Sequence, residues 1–205
     1  MPTLIHNVPP DAAAIALDTN HLHSYVVVIE NALPLDFCDA VVAEFNDPQE
    51  WNSALVGHQG SVDRNIRNAD VISLSAGAVL QKNAKQREKF DATLYGACRN
   101  VLRQYQALFP HCRIVEGMGF ELLRYSTGGF YRTHTDSFKK VPRALACSFA
   151  LNDAFEGGHW SFFEGQKTLN PPKGSAVLFP SNFLYPHEIT EIRSGTRYSI
   201  VTWMI

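Results

Sequence analysis

The sequence has no long apolar run, no excess of basic residues and no paired cysteine motif, and each absence removes a class of protein. No stretch of its 205 residues approaches the roughly 20 consecutive apolar residues that span a bilayer. Lys and Arg number 18 against 20 Asp and Glu, a formal net charge of -2. A chain so balanced has no electrostatic reason to take nucleic acid or an anionic membrane as its main partner. The opening residues Met1-Pro2-Thr3-Leu4-Ile5-His6-Asn7 lack the basic and apolar regions of a secretory signal, so a cytoplasmic location is expected. Cys38, Cys98, Cys112 and Cys147 form no C-x-x-C pair and sit in apolar stretches, which reads as buried, reduced thiols. With 45% hydrophobic residues, a chain of this length closes a core without disulfide or metal.

No repeat, low-complexity block or linker divides the sequence. One domain is expected over residues 24–205, preceded by an irregular arm, residues 1–23, that holds Pro9-Pro10. Tyr25 to Ile29 is a β-branched and aromatic run, a strand signal. Pro34 opens a helix in which Phe37, Val41 and Phe45 recur every four residues. Residues 46–68 are polar and irregular, and Val71 to Leu74 is a short strand. The clearest helix runs from about Gln86 to Phe109: Phe90, Leu94, Ala97, Val101, Tyr105 and Leu108 step by three or four along one face, and Pro110 closes it. Beyond it, Gly119–Tyr125, Ala144–Leu151, Trp160–Phe163, Ala176–Phe179 and Arg197–Ile205 are short β-type runs separated by turn residues. Helices first and an antiparallel β core after them make an α+β domain built on a β-sandwich.

His134-Thr135-Asp136 is the first place where chemistry shows. In a strand, residues i and i+2 project to one face, so the imidazole and carboxylate would point together. Such triplets also arise by chance. Among the eight histidines His187 stands out, set after Phe179-Pro180-Ser181 where a strand resumes. Two His and one Asp form the set that suits non-haem Fe(II), with coordination positions left open. Zinc fits less well, since a structural site wants four ligands and no cysteine lies near. On the last strand Arg197, Ser199, Val201 and Trp203 share one face. An arginine in so apolar a run needs an anion, either a neighbouring carboxylate in a buried ion pair or a carboxylate-bearing ligand held bidentately.

The stretch Tyr125-Ser126-Thr127-Gly128-Gly129-Phe130-Tyr131-Arg132-Thr133-His134-Thr135-Asp136 resembles the Y-x-x-G-x-x-Y-x-x-H-x-D signature of the prolyl 4-hydroxylase-like 2-oxoglutarate and Fe(II)-dependent dioxygenases. Leu151-Asn152-Asp153 followed by Gly157-Gly158, the run Pro172 to Ser181, and His187 ten residues before Arg197 are similar to that family in order and spacing. The resemblance is tight over about residues 117–205 and looser back to Tyr25. It implies a double-stranded β-helix, or jelly-roll, core with supporting N-terminal helices. It also implies Fe(II) on His134, Asp136 and His187, and 2-oxoglutarate held by Arg197, Ser199 and Tyr125. Dioxygen is the second co-substrate, and relatives often use ascorbate to rescue oxidised iron.

Three further residues belong to the substrate pocket or its wall: Tyr131; Trp203, which otherwise packs in the core; and Arg67, which otherwise is a solvated loop charge. His159 reads as an exposed loop residue and Cys147 as core. Collagen-type relatives usually carry lysine where this chain has Arg197, and the segment from Asp136 to Arg143 is short, which trims the rim that shapes substrate choice. The expected activity is hydroxylation of an unactivated C–H bond on a prolyl or other side chain of a peptide or protein. The alternatives are the same chemistry on a free amino acid or small metabolite, and a catalytically silent binding module.

Overall fold

The computed structural model describes residues 20–45, 47–57, 60–74, 84–114 and 117–205. The N-terminal part holds α1 (Asn20–His23), β1 (Val27–Ile29), α2 (Leu35–Glu44), a 3-10 turn (Pro48–Glu50), β2 (Asn52–Ser53), β3 (Arg67–Asn68), β4 (Asp70–Ser73) and α3 (Ala84–Leu108). After it come β5 (Glu121–Tyr125), β6 (Phe130–His134), β7 (Leu145–Ala150), β8 (Phe155–Gly157), β9 (Trp160–Phe162) and β10 (Lys167–Leu169). The last four are β11 (Ala176–Pro180), β12 (His187–Ile189), β13 (Ile192–Gly195) and β14 (Arg197–Met204). A seven-stranded sheet runs β1-β11-β7-β14-β5-β4-β2, a five-stranded sheet runs β10-β9-β12-β6-β3, and β13 with β8 makes a separate ribbon. All pairings are antiparallel, and the two facing sheets form a jelly roll on an α+β chain.

The period-two alternation of the strands sends side chains into two cores. Leu122, Cys147, Phe149, Leu178, Ile200 and Met204 leave the large sheet on one face and meet Cys38 and Val41 of α2 and Phe90, Leu94, Val101 and Tyr105 of α3. From the other face Leu123, Tyr125, Val177, Phe179, Val201 and Trp203 meet Trp160, Phe162 and Ile189 of the small sheet. β7, covered on both faces, is buried at all six positions. Each large apolar side chain so buried contributes about 1.5–3 kcal/mol.

α2 follows Pro34, whose extended backbone at φ -60° is pre-set to start it. On α3 Phe90, Leu94, Val101 and Tyr105 of the expected stripe are buried and Ala97 partly so, and the Tyr105 hydroxyl donates to the Tyr25 carbonyl at 2.9 Å. Leu108 departs from expectation and is 60% exposed. Phe109 takes the inward place instead, stacking on Tyr25 with ring centroids 4.6 Å apart. Asn20–His23, expected within an irregular arm, form a short helix, and residues 1–19 lie outside the described residues. All four cysteines are free; Cys38 and Cys147 are buried, but Cys98 and Cys112 only partly so. No helix among the described residues is long and apolar enough to cross a membrane.

Candidate metal centre and its cavity

β6 and β12 are neighbours in the small sheet, and their register sets His134 directly opposite His187. The two imidazole centroids are 4.3 Å apart. Asp136 does not share the strand with His134, as the i, i+2 pattern had it. β6 ends at His134, and the backbone leaves the sheet before Asp136. The turn carries the carboxylate back between the rings: Oδ1 lies 3.6 Å from His134 Nε2 and Oδ2 3.7 Å from His187 Nε2. All three ligand atoms fall within 4.8 Å of one another.

Backbone carbonyls set the tautomers. His134 Nδ1 donates to the Arg132 carbonyl at 2.9 Å and His187 Nδ1 to the Tyr185 carbonyl at 3.0 Å, which leaves each Nε2 with a lone pair aimed inward. Burial pulls the His187 pKa down to about 4, reinforced by His134. Burial works to raise the Asp136 carboxyl, but His187 and His134 outweigh it and hold the group well below the usual carboxylate range. Two imidazoles with inward-facing Nε2 atoms and an ionised carboxylate converge here, the donor set that a divalent 2-His-1-carboxylate site would use. A depressed imidazole pKa has a pH consequence. Metal-free protein is fully stabilised above about pH 6.5, where His187 is neutral folded or unfolded. It should lose on the order of 3 kcal/mol as pH falls from there through about 4, because only the unfolded chain takes up the proton. Asp136 protonation adds to that loss at still lower pH. Denaturant midpoints of metal-free protein at pH 7, 5.5 and 4 measure it; equal midpoints would contradict it.

A cavity of about 230 Å³ opens beside these three residues, between the two sheets. At one end stands Arg197, 5% exposed, directly across the strand pair from the buried Tyr125. Arg197 donates from Nη1 to Ser199 Oγ at 3.0 Å. Among the described residues it pairs with no carboxylate, so the ion-pair alternative for this arginine fails. Burial disfavours its cation and lowers its pKa, with Tyr125 acting in the opposite sense. The Gly157-Gly158 turn makes room for the side chain: a Cβ on Gly158, at φ 62°, would collide with Ile192 and stand 3.1 Å from Arg197 Cδ. Asn152 brackets the same arginine, donating to the Thr196 carbonyl at 2.7 Å and accepting from the Tyr198 amide at 2.8 Å.

Tyr131 stacks on His134 with ring centroids 3.5 Å apart. Trp203 lines the cavity and also packs in the inter-sheet core. Arg67 is not a solvated loop charge. It is 8% exposed on β3, lies over the Tyr131 ring at 4.6 Å and donates to the Leu55 carbonyl at 2.9 Å. His159 is partly buried and lies outside the cavity lining. Sequence reading missed Glu121, Arg143 and Trp160, all lining the cavity. Glu121 was within reach, since it alternates with Leu123 and Tyr125 on one strand face. Burial raises its carboxyl pKa, with Arg67 and Arg143 acting against that rise.

Residues 120–205 match the family model described as the 2OG-Fe(II) oxygenase superfamily. No curated protein matches the chain. Among solved structures, a prolyl hydroxylase from Trichoplax adhaerens, in complex with a hypoxia inducible factor peptide fragment, superposes with a TM-score of 0.73 at 18% identity, over 91% of this chain and 86% of that one. A Pseudomonas putida prolyl-4-hydroxylase gives a TM-score of 0.65 at 22% identity, over 88% and 91%. The viral collagen prolyl hydroxylase of Paramecium Bursaria Chlorella virus-1, as its 2OG complex, gives 0.63 at 16%, over 88% and 95%. The match to the 2OG-Fe(II) oxygenase superfamily thus falls on residues 120–205, the part that carries His134, Asp136, His187 and Arg197, and the chain has the fold of the prolyl hydroxylases.

Proposed function

We propose that the chain is an Fe(II)- and 2-oxoglutarate-dependent dioxygenase that hydroxylates an unactivated C–H bond. The observation that carries this reading is a converging His-Asp-His set beside a buried arginine with no carboxylate of its own. His134, Asp136 and His187 would hold the iron and leave further positions open. Arg197 would receive the far carboxylate of 2-oxoglutarate, with Ser199 fixing one arm of the fork and Tyr125 completing that end. Bound iron and 2-oxoglutarate supply, with dioxygen, the oxidation that turns C–H into C–OH, with release of succinate and CO2. The chain's own part is positional. The Arg132 and Tyr185 carbonyls keep the Nδ1 protons in place, and Trp160, Ile189, Val201 and Trp203 keep the cavity apolar around the donors. Iron, Arg197, Asp136 and the co-substrate dianion together come close to neutral, as a buried site requires.

For the prime substrate, a prolyl side chain of a peptide or protein is the first candidate. Its support is the shared fold and an open cleft of about 390 Å³ that continues from His134 and Tyr131 past Ile66 and Phe138. The second reading is a free amino acid or other small metabolite, favoured by the small inner cavity and its charged wall. Ascorbate is expected to sustain turnover by returning oxidised iron to Fe(II). Anaerobic Fe(II) and 2-oxoglutarate binding followed by succinate release in air tests the reaction, and stimulation by a proline-rich peptide tests the first candidate. Binding without turnover under any addition would mark a silent module, and no binding would end the dioxygenase reading.

Gly158→Ala gives a separate check on Arg197. The added methyl pushes on the Arg197 stem and on Ile192, so the half-saturating 2-oxoglutarate concentration should rise about tenfold, roughly 1.4 kcal/mol, with iron affinity unchanged. Parallel titrations of metal and co-substrate measure the split, and an equal loss in both would contradict it.

A further inference from the structure

Away from Arg197 the cavity carries a second group of charges that iron and co-substrate leave unused. On β5 the strand register puts Tyr125 opposite Arg197 and Glu121 opposite Val201. Four residues of strand, about 13 Å, therefore separate the co-substrate end from Glu121. Glu121 shares the cavity with Arg143, whose guanidinium lies 3.7 Å from the Trp203 ring centroid, and with Arg67 over Tyr131. Its carboxylate makes no hydrogen bond or ion pair with any described residue. Arg67 and Arg143 each give one Nη1 proton to a backbone carbonyl, of Leu55 and of Asp136, and each keeps a buried Nε with no acceptor. A carboxylate that served only to balance the arginines would sit in contact with one of them. Here no ion pair joins the carboxylate to either arginine although all three residues line one cavity, and polar groups left open in this way call for a ligand that supplies both partners.

We infer that the prime substrate enters as a protonated amine, its ammonium paired with Glu121 and one of its oxygens taking the open donors of Arg67 and Arg143. This rests on the dioxygenase reading and narrows its substrate. An α-ammonium beside a carbonyl or carboxylate oxygen has the required chemistry, and a free amino acid or the N-terminal residue of a peptide supplies it. A residue inside a chain does not, since its amide nitrogen is neutral. Arg67, on β3, is the direct cross-strand partner of Tyr131, so its guanidinium and that ring share one wall of the cavity.

Succinate release is measured with each free amino acid, L-proline included, with a peptide amide beginning in any residue that stimulates, and with the N-acetyl form of both. A free amine should stimulate release, and acetylation should cut the stimulation at least tenfold. Glu121→Gln should bring the ratio of amine to acetylated rates down tenfold or more, towards one, whereas Glu121→Asp, which keeps the charge, should retain part of the preference. Stimulation by free amino acids or by the peptide amides tells the two sources apart. Equal rates for amine and acetylated probes, or an unchanged ratio in Glu121→Gln, overturn the inference. Succinate release under any of these additions, or without one, that His134→Ala abolishes reports the dioxygenase reading on its own. Its absence from the native protein under every addition is a failure of that reading; its presence with no amine stimulating is a failure of this inference alone.

Discussion

Arg197→Ala is expected to raise the 2-oxoglutarate concentration for half-maximal turnover by roughly 30- to 1000-fold, about 2–4 kcal/mol, while leaving Fe(II) binding in place. The guanidinium is buried, unpaired among the described residues and held by Ser199 at 3.0 Å, so a dianionic ligand would find one charge-assisted fork and lose it whole. Arg197→Lys should fall between, since a point charge survives but the planar fork and the Ser199 contact do not. Stability should move in the opposite direction from function. A buried cation without an anion destabilises the empty protein, so Arg197→Met is expected to melt at or above the native temperature before co-substrate is added. Adding 2-oxoglutarate should then raise the melting temperature of the native protein and not of the variant. A variant indifferent in both assays would remove 2-oxoglutarate from the reading.

His134→Ala is expected to abolish turnover and to weaken Fe(II) binding by more than roughly 100-fold, beyond what loss of a supporting hydrogen bond to a ligand usually costs. The substitution removes one of three donors and the ring on which Tyr131 stacks, and it leaves Asp136 facing a single imidazole. His187→Ala should match it in metal binding but cost more stability, because His187 is 2% exposed amid Trp160, Phe162 and Phe179. Anaerobic Fe(II) titration and denaturant unfolding separate the two effects. Iron affinity within a few-fold of native in both variants would place the metal elsewhere.

Much of the fold was legible because local pattern and burial agree. The α3 stripe, the run at β7 and the alternation on β14 each carry enough residues for their period to show. Strands of two or three residues, such as β2, β3, β8 and β10, are shorter than any period, and they are held by partners distant in sequence. The cross-strand meeting of His134 and His187 spans 53 positions, and only the spacing of a known motif announced it. Arg67 was the hardest to place. A charge beside Asn in a polar, irregular stretch is usually solvated, and only the fold shows that this one turns inward onto the cavity. Leu108 shows the reverse error, a correct period continued one turn past the surface that gave it meaning.

β14 lies in the middle of the seven-stranded sheet, yet it follows every other strand in the chain. Synthesis from the N-terminus therefore releases β5 and β7 well before the strand that separates them. Until residue 204 has cleared the ribosome, both present unsatisfied edges, and the helices have no finished sheet to rest on. Closure of the large sheet thus waits on β14, whichever of the other strands pair first. The same strand brings Arg197 and Ser199, so a nascent chain stalled before β14 can neither close nor bind its co-substrate. The interval between the emergence of β7 and of β14 is when a holding chaperone has the most to protect.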